Sequence, residues 1–182
     1  MKTIHSKTGV RQLHKATAEK RRKMQLAFLL QDWDDAYNVG GMFRVADACG
    51  AYEMVFSGRT PQPPDPMVSV TSLGHHRRVH WRDLGRNEDA AIKLKQEGYT
   101  LVAVEIAQGA IHYTEFDYPE KTCLVLGNEV KGVYGSVMKH CDACVFIPMA
   151  GKGRSLNVHV AGSVIAFQAL DGVRSEPEEE SE

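Results

Sequence analysis

Five short and nearly continuous apolar runs, separated by helical or turn-forming sequence, constrain this chain more than any other feature. They are Leu26-Ala-Phe-Leu-Leu30, Glu53-Met-Val-Phe56, Thr100-Leu-Val-Ala-Val104, Thr122-Cys-Leu-Val-Leu126 and Ala143-Cys-Val-Phe-Ile147. A strand with one wet face alternates apolar and polar residues. These runs hardly alternate, so both of their faces need covering. The covers are visible between them. Residues 11–26 read as a basic helix, Asn38–Cys49 as a helix stopped by Gly50, Glu88–Glu97 as one stopped by Gly98, and Leu156–Leu170 as a closing helix. Strands alternating with helices predict an α/β fold: a mostly parallel sheet with helices on both faces. A length of 182 residues without an internal repeat suits one compact domain.

Charge divides the chain unevenly. Residues 1–23 hold eight Lys or Arg against the single acid Glu19, whereas Ser175–Glu182 hold five glutamates and no base. The chain therefore reads as a basic helix or arm over 1–25, a folded domain over 26–172 and an acidic disordered tail over 173–182, which has nothing to bury. The basic arm fits a polyanion through counterion release, and it equally fits a solvated helix face. No run approaches the ~20 apolar residues of a membrane span, and the first residues lack an apolar leader, so no membrane partner and a cytoplasmic location are expected. Cys141-Asp-Ala-Cys144 has zinc-ligand spacing without a second ligand pair, so no metal is expected and the thiols read as interior.

Three glycine-bearing stretches follow strands. The first is Asn38-Val-Gly-Gly-Met-Phe-Arg44, continuing through Val45-Ala-Asp-Ala-Cys-Gly50. On a helix Met42, Val45, Ala46 and Cys49 share a face, and Arg44 and Asp47 project from the opposite one. Asn38 stands where an N-cap belongs, and Gly40 and Gly41 would let another chain or a ligand approach the backbone. Arg44 on such a helix is either a solvated side chain or a working one. The second stretch is Leu126-Gly-Asn-Glu129-Val-Lys-Gly132. Its carboxylate falls beyond the carboxyl end of a strand, where ligands of open α/β sheets collect, although a helix-entry role for Glu129 is also open. The third, Ile147-Pro-Met-Ala-Gly-Lys-Gly-Arg-Ser155-Leu-Asn157-Val, turns from strand to helix with Ser155 as its expected N-cap. It is not a phosphate loop, because Phe146 stands where the first glycine is required. A dinucleotide fingerprint and a hydrolase nucleophile elbow are absent as well.

Together the three stretches resemble the motifs of the SpoU (TrmH-like) branch of the SPOUT RNA methyltransferases, in order, from about residue 26 to 170. The resemblance implies a C-terminal deep trefoil knot, an obligate homodimer, and S-adenosyl-L-methionine bound against backbone around Val104, Gly127, Ile147, Met149 and Leu156. It implies methylation of a ribose 2′-hydroxyl of RNA, with Arg44 as the catalytic residue. Asn38 would orient Arg44 and the ribose, Glu129 would hold the opposite side of the pocket, and Ser155 and Asn157 would fix the knot loop and the ribose. A free guanidinium titrates above ~12, so clamping the neighbouring phosphate is physically easier for Arg44 than acting as a base. One position departs from the pattern: the family often has serine where His159 stands, and His159 either packs or touches RNA. Many relatives carry a separate RNA-binding domain. Capture of RNA is here expected from Arg11, Lys15, Arg21, Arg22, Arg77, Arg78 and the dimer surface, which favours tRNA over rRNA. The alternative is an inactive SPOUT-fold RNA-binding protein, against which the intact Asn38, Arg44, Glu129 and Asn157 stand.

Overall fold

A computed structural model describes residue 3, residues 6–18 and residues 23–171. Arg21, Arg22 and the acidic tail lie outside the described residues. The chain runs α1 (Lys7–Ala18), β1 (Gln25–Gln31), α2 (Ala36–Cys49), β2 (Glu53–Ser57), α3 (Pro66–Thr71), β3 (Trp81–Asp83) and α4 (Asn87–Gln96). It continues with β4 (Thr100–Val104), β5 (Ile111–His112), β6 (Lys121–Leu126), α5 (Gly135–Met138), β7 (Ala143–Phe146) and α6 (Val158–Asp171). All strands pair in parallel, in the order β3-β2-β1-β6-β4-β7-β5. Each of the five apolar runs is one of these strands. Missed were the short strands β3 and β5 and the short helices α3 and α5, all too brief to carry a clear period.

The sheet is covered on both faces, as its apolar runs require. Phe28, Leu30, Met54, Phe56, Leu124 and Leu126 point to one side and pack with Met42, Phe43 and Ala46 of α2 and Ile165, Ala166 and Ala169 of α6. Their neighbours Ala27, Leu29, Val55, Leu101, Cys123 and Val125 point to the other, against Ala90, Ala91 and Leu94 of α4 and Val137 of α5. Successive strand residues thus serve opposite cores, which is the two-residue period of a pleated strand. Among the described residues no helix is long and apolar enough to cross a membrane.

The basic helix expected over 11–26 is instead Lys7–Ala18, and Gln25 already begins β1. Two helix caps also differ from expectation. Asp35, not Asn38, caps α2: its carboxylate accepts the Tyr37 N–H at 2.8 Å, and Asn38 lies inside the first turn. The last helix begins at Val158, and Asn157 rather than Ser155 provides the side-chain oxygen, accepting the His159 N–H at 3.1 Å. At Asp35 the backbone is still extended, with φ −106° and ψ 112°, where the first orphan N–H groups point, and several polar residues near each helix start could have served. Gly50 does end α2, in the left-handed conformation with φ 69°.

The approach at Gly40 is by this chain itself. A β-carbon there would lie 1.8 Å from Thr71 Oγ1 and 2.8 Å from the Ser72 backbone nitrogen, so the missing side chain lets α3 seat on α2. Gly40→Ala should gain helix propensity yet lose about 1–3 kcal/mol through this overpacking. Thermal unfolding should show a clear drop in Tm; an unchanged or raised Tm would mean that α3 yields freely.

Candidate active site

The carboxyl ends of β1 and β6 lie side by side, because strand order places β1 between β2 and β6. Two loops leave from here, residues 32–35 and 127–134, and each is built into the other. Trp33, fully buried, donates its indole N–H to the Leu126 carbonyl at 3.0 Å. Asn128 Nδ2 donates to the Asp32 carbonyl at 2.6 Å and to Asp34 Oδ2 at 2.9 Å. Tyr134 donates its hydroxyl to Asp32 Oδ2 at 2.6 Å and its N–H to Gln31 Oε1 at 2.7 Å. Glu129 completes the clasp, accepting the backbone N–H groups of Asp34 at 3.0 Å and Asp35 at 3.3 Å. Backbone donors that no helix or sheet satisfies take side-chain acceptors here, and those of Asp34 and Asp35 come from a distant loop.

From this clasp a polar chain runs across to α6. Asn38 Nδ2 donates to Glu129 Oε1 at 3.0 Å, and Asn157 Nδ2 donates to Asn38 Oδ1 at 2.9 Å. His159 Nδ1 lies 3.3 Å from the same Asn38 oxygen. Asn38 is therefore engaged with Glu129, Asn157 and His159.

Beside this chain opens a cavity of about 680 Å³ at the carboxyl ends of β1, β4, β6 and β7. Val104, Gly127, Ile147, Met149 and Leu156 all line it, and so do Asn38, Glu129, Ser155 and Asn157. Asp34, Asp35 and Glu105 add carboxylates to its wall, with Arg154 the cation there. Gly127 makes room differently from the expectation. A β-carbon on it would lie 2.2 Å from backbone atoms of Gly132 and Val133, so its missing side chain admits the returning loop and not a ligand.

The remaining predicted residues lie elsewhere. Arg44 is exposed in the middle of α2 and is not part of the cavity wall. Asp47, one turn further along, accepts a hydrogen bond from Arg78 Nη2 at 3.3 Å, so Arg78 is tied to the same helix. Arg77 is exposed on the turn before it, and Arg11 and Lys15 are exposed on α1. Gly41 meets His159 of this chain, with a built β-carbon 3.0 Å from the ring. Cys141 and Cys144 do not pair. Cys141 Sγ lies 3.6 Å from the Val137 carbonyl oxygen and Cys144 Sγ 3.4 Å from that of Glu105. Burial pushes both thiols up, Cys141 to about 12, which suppresses the reactive thiolate.

The SpoU rRNA Methylase family model matches residues 25–167, which span the clasp, the cavity and the asparagine pair. The chain belongs to that family. The tRNA (guanosine(18)-2′-O)-methyltransferase of Thermus thermophilus is 33% identical over 150 residues, covering 82% of this chain and 76% of that protein. The SpoU methyltransferase AviRb of Streptomyces viridochromogenes superposes with a TM-score of 0.74 at 27% identity, covering 82% of this chain and 60% of that one. An AdoMet-bound rRNA methyltransferase from Sinorhizobium meliloti superposes with a TM-score of 0.75 at 26% identity, over 81% of this chain and 56% of that one. This chain thus spans well under two thirds of the length of these two solved relatives.

Several residues of this SpoU-family site escaped sequence reasoning. Asp32, Asn128 and Tyr134 hold the two loops together, and of these only Asn128 lies inside a motif stretch, between its glycine and its glutamate. The acidic run Asp32-Trp-Asp-Asp35 directly after an apolar strand was the available signal. The Tyr134 hydroxyl is the main reason that the Asp32 carboxyl is held below the ordinary value of 3.8, with Arg59 contributing less. A lowered folded value contributes stability above 3.8 that is lost as pH falls through the folded value. Tyr134→Phe should cost about 1 kcal/mol near neutral pH. Its Tm deficit against the native chain should shrink as unfolding is followed from pH 6 to about pH 3, since Asp32 protonates. A deficit independent of pH would place the contribution of Tyr134 outside this bond.

Proposed function

We propose that this chain transfers the methyl group of S-adenosyl-L-methionine to a ribose 2′-hydroxyl of RNA, with tRNA the favoured substrate. The observation that carries the proposal is the position of the Glu129–Asn38–Asn157 chain: it forms one wall of the cavity, and the helix that supplies Asn38 also presents Arg44 to solvent. The Thermus relative is named for the ribose of guanosine 18 in tRNA, and the Sinorhizobium relative binds AdoMet.

The residues present fit that cofactor. A cavity of about 680 Å³ has the size of a small-molecule site. Val104, Leu126, Ile147, Met149 and Leu156 offer an apolar slot to a purine. Asp34, Asp35, Glu105 and Glu129 offer carboxylates to a ligand that is cationic at both sulfonium and ammonium. When bound, S-adenosylmethionine supplies an electrophilic methyl group. The protein's part is placement, which can itself supply on the order of 7–11 kcal/mol in well-oriented cases. Asn38 and Asn157 hold the ribose side of the cavity, Glu129 locks Asn38 in place, and Ser155 and Gly127 complete the wall. Arg44 clamps the phosphate next to the reacting ribose with its planar fork. Arg11, Lys15, Arg77 and Arg78 provide a basic surface for the rest of the RNA.

The family resemblance extends the proposal to the assembly. A second copy would cover the cavity mouth, where Ile106 and Val130 are 61% and 87% exposed. The segment from β7 to α6 would form the trefoil knot. The division at residues 1–25, 26–172 and 173–182 and a cytoplasmic location belong to the same reading.

Labelled S-adenosylmethionine incubated with tRNA and rRNA transcripts, followed by digestion to nucleosides, tests the reaction. Recovery of 2′-O-methylated nucleosides from tRNA is expected. Base-methylated nucleosides would overturn the ribose assignment, and label confined to rRNA would overturn the tRNA preference. Arg44→Ala should lower kcat on the order of 10²-fold, as loss of a preorganised donor does. Cofactor affinity by calorimetry should stay unchanged, because Arg44 is not part of the cavity wall. Near-full activity of Arg44→Lys would rule out the bidentate clamp.

A further inference from the structure

His159 is placed by a helix cap and a hydrogen-bond chain, and that chain decides which ring nitrogen carries the proton. Its own N–H is accepted by Asn157 Oδ1 at 3.1 Å. Both Glu129 oxygens accept backbone N–H groups, and the one 3.0 Å from Asn38 Nδ2 accepts there too, which fixes which way the Asn38 amide faces. Asn38 Oδ1 is thereby turned to Asn157 Nδ2 at 2.9 Å and to His159 Nδ1 at 3.3 Å. An amide oxygen only accepts, so Nδ1 is the donor and bears the proton of the neutral ring. Nε2 keeps its in-plane lone pair.

The ring lies flat on α2. A β-carbon built on Gly41 would stand 3.0 Å from Cδ2, 3.1 Å from Nε2 and 3.2 Å from Cε1. Near-equal distances to three consecutive ring atoms put Gly41 against the ring face, so the in-plane lone pair is not spent on it. The groups acting on this ring are Arg44 and Asp35, both on or capping α2, with Glu129 one hydrogen bond beyond Asn38. Burial first, and the Arg44 charge second, hold the imidazole below its ordinary value of 6.5, against the weaker pull of Asp35. The ring thus stands against the cavity-lining Asn38, outside the residues that line the cavity itself, with the charge of Arg44 acting on it.

We propose that His159 Nε2 accepts the proton of the ribose 2′-hydroxyl while Arg44 holds the adjacent phosphate; this rests on the 2′-O-methyl transfer proposed above. The O–H bond breaks and its electron pair stays on oxygen, where a pair forms the new oxygen–carbon bond to the donated methyl. The Nε2 lone pair forms the N–H bond, the pair of the broken sulfur–carbon bond stays on sulfur, and the imidazolium then gives its proton to water. A ribose hydroxyl is a poor nucleophile. A neutral imidazole can take its proton as attack proceeds, which a guanidinium without a lone pair cannot do. The serine that relatives often carry at this position is no such base, so the inference concerns this chain in particular.

The test uses the full chain with labelled S-adenosylmethionine and unmodified tRNA and rRNA transcripts. His159→Asn keeps an N–H donor for Asn38 but removes the lone pair. It should lower kcat on the order of 10²-fold, the usual scale of general-base catalysis, with RNA and cofactor affinity unchanged. The native kcat should fall on the acid side below pH 6.5, and the variant should lack that limb. Imidazole added to His159→Ala should restore activity. Independently of turnover, nitrogen-15 spectra of the native chain should show His159 as the Nδ1–H tautomer, titrating below 6.5. An Nε2–H tautomer overturns the proposal, as does native kcat in His159→Asn. A loss of kcat with the acid limb intact and no imidazole rescue also overturns it, leaving His159 a positioning residue for Asn38. A native chain that methylates none of the transcripts overturns the methyl-transfer reading and this proposal together. Equal activity of native chain and variant overturns this proposal alone.

Discussion

The hydrogen bonds that join the loop after β1 to the loop after β6 hold the rest of the site in place. The loop after β1 has no regular structure, the loop after β6 satisfies only part of its backbone through the Asn128–Gly132 bridge, and both follow strands that are buried on two faces. Each solves the problem with groups from the other: Trp33 against Leu126, Asn128 against Asp32, Glu129 against the N–H groups of Asp34 and Asp35. Left unpaired, the buried Trp33 indole and Asn128 amide would cost about 1–3 kcal/mol apiece, so the two loops keep one arrangement. Asn38 and the cavity wall take their places from it. Glu129 links the two levels, because the carboxylate that caps the loop backbone also orients the Asn38 amide.

A division of charge follows from the same arrangement. Carboxylates from three strand ends gather around the cavity: Asp34 and Asp35 after β1, Glu105 after β4, and Glu129 after β6. The arginines Arg44, Arg77 and Arg78 stand on the outer side of α2 and on the turn beside it. Carboxylates thus line the cavity, and these exposed arginines lie off its wall. A net charge of −1 conceals this, since it averages two surfaces that act separately.

Much of the fold was legible in the sequence because local periodicity reports directly on burial. The five apolar runs announced a doubly covered parallel sheet, and Gly50 announced the end of α2. The three motif stretches identified the residues that meet in space. Caps were legible only as sets of choices: Asp35 and Asn38 both have capping chemistry, and the extended backbone at Asp35 decides between them. The glycines were legible as close approaches without their partners. Gly40 admits Thr71, Gly41 the ring of His159 and Gly127 its own returning loop, all within this chain.

By itself the sequence determined the α/β class, the strands and helices that carry the site, the family and the residue types available for its chemistry. Those properties follow from neighbours in the chain and from motifs of fixed spacing. Only the tertiary structure decided that Asn157 bonds Asn38 across 119 positions, and that Arg44 stays off the cavity wall. It alone decided that His159 lies with Nδ1 on an amide oxygen. The physical reason is strand order. Pairing β1 with β6 brings together loops some 95 residues apart, and hydrogen-bond partners, amide orientation and tautomer depend on that proximity. No local pattern encodes it.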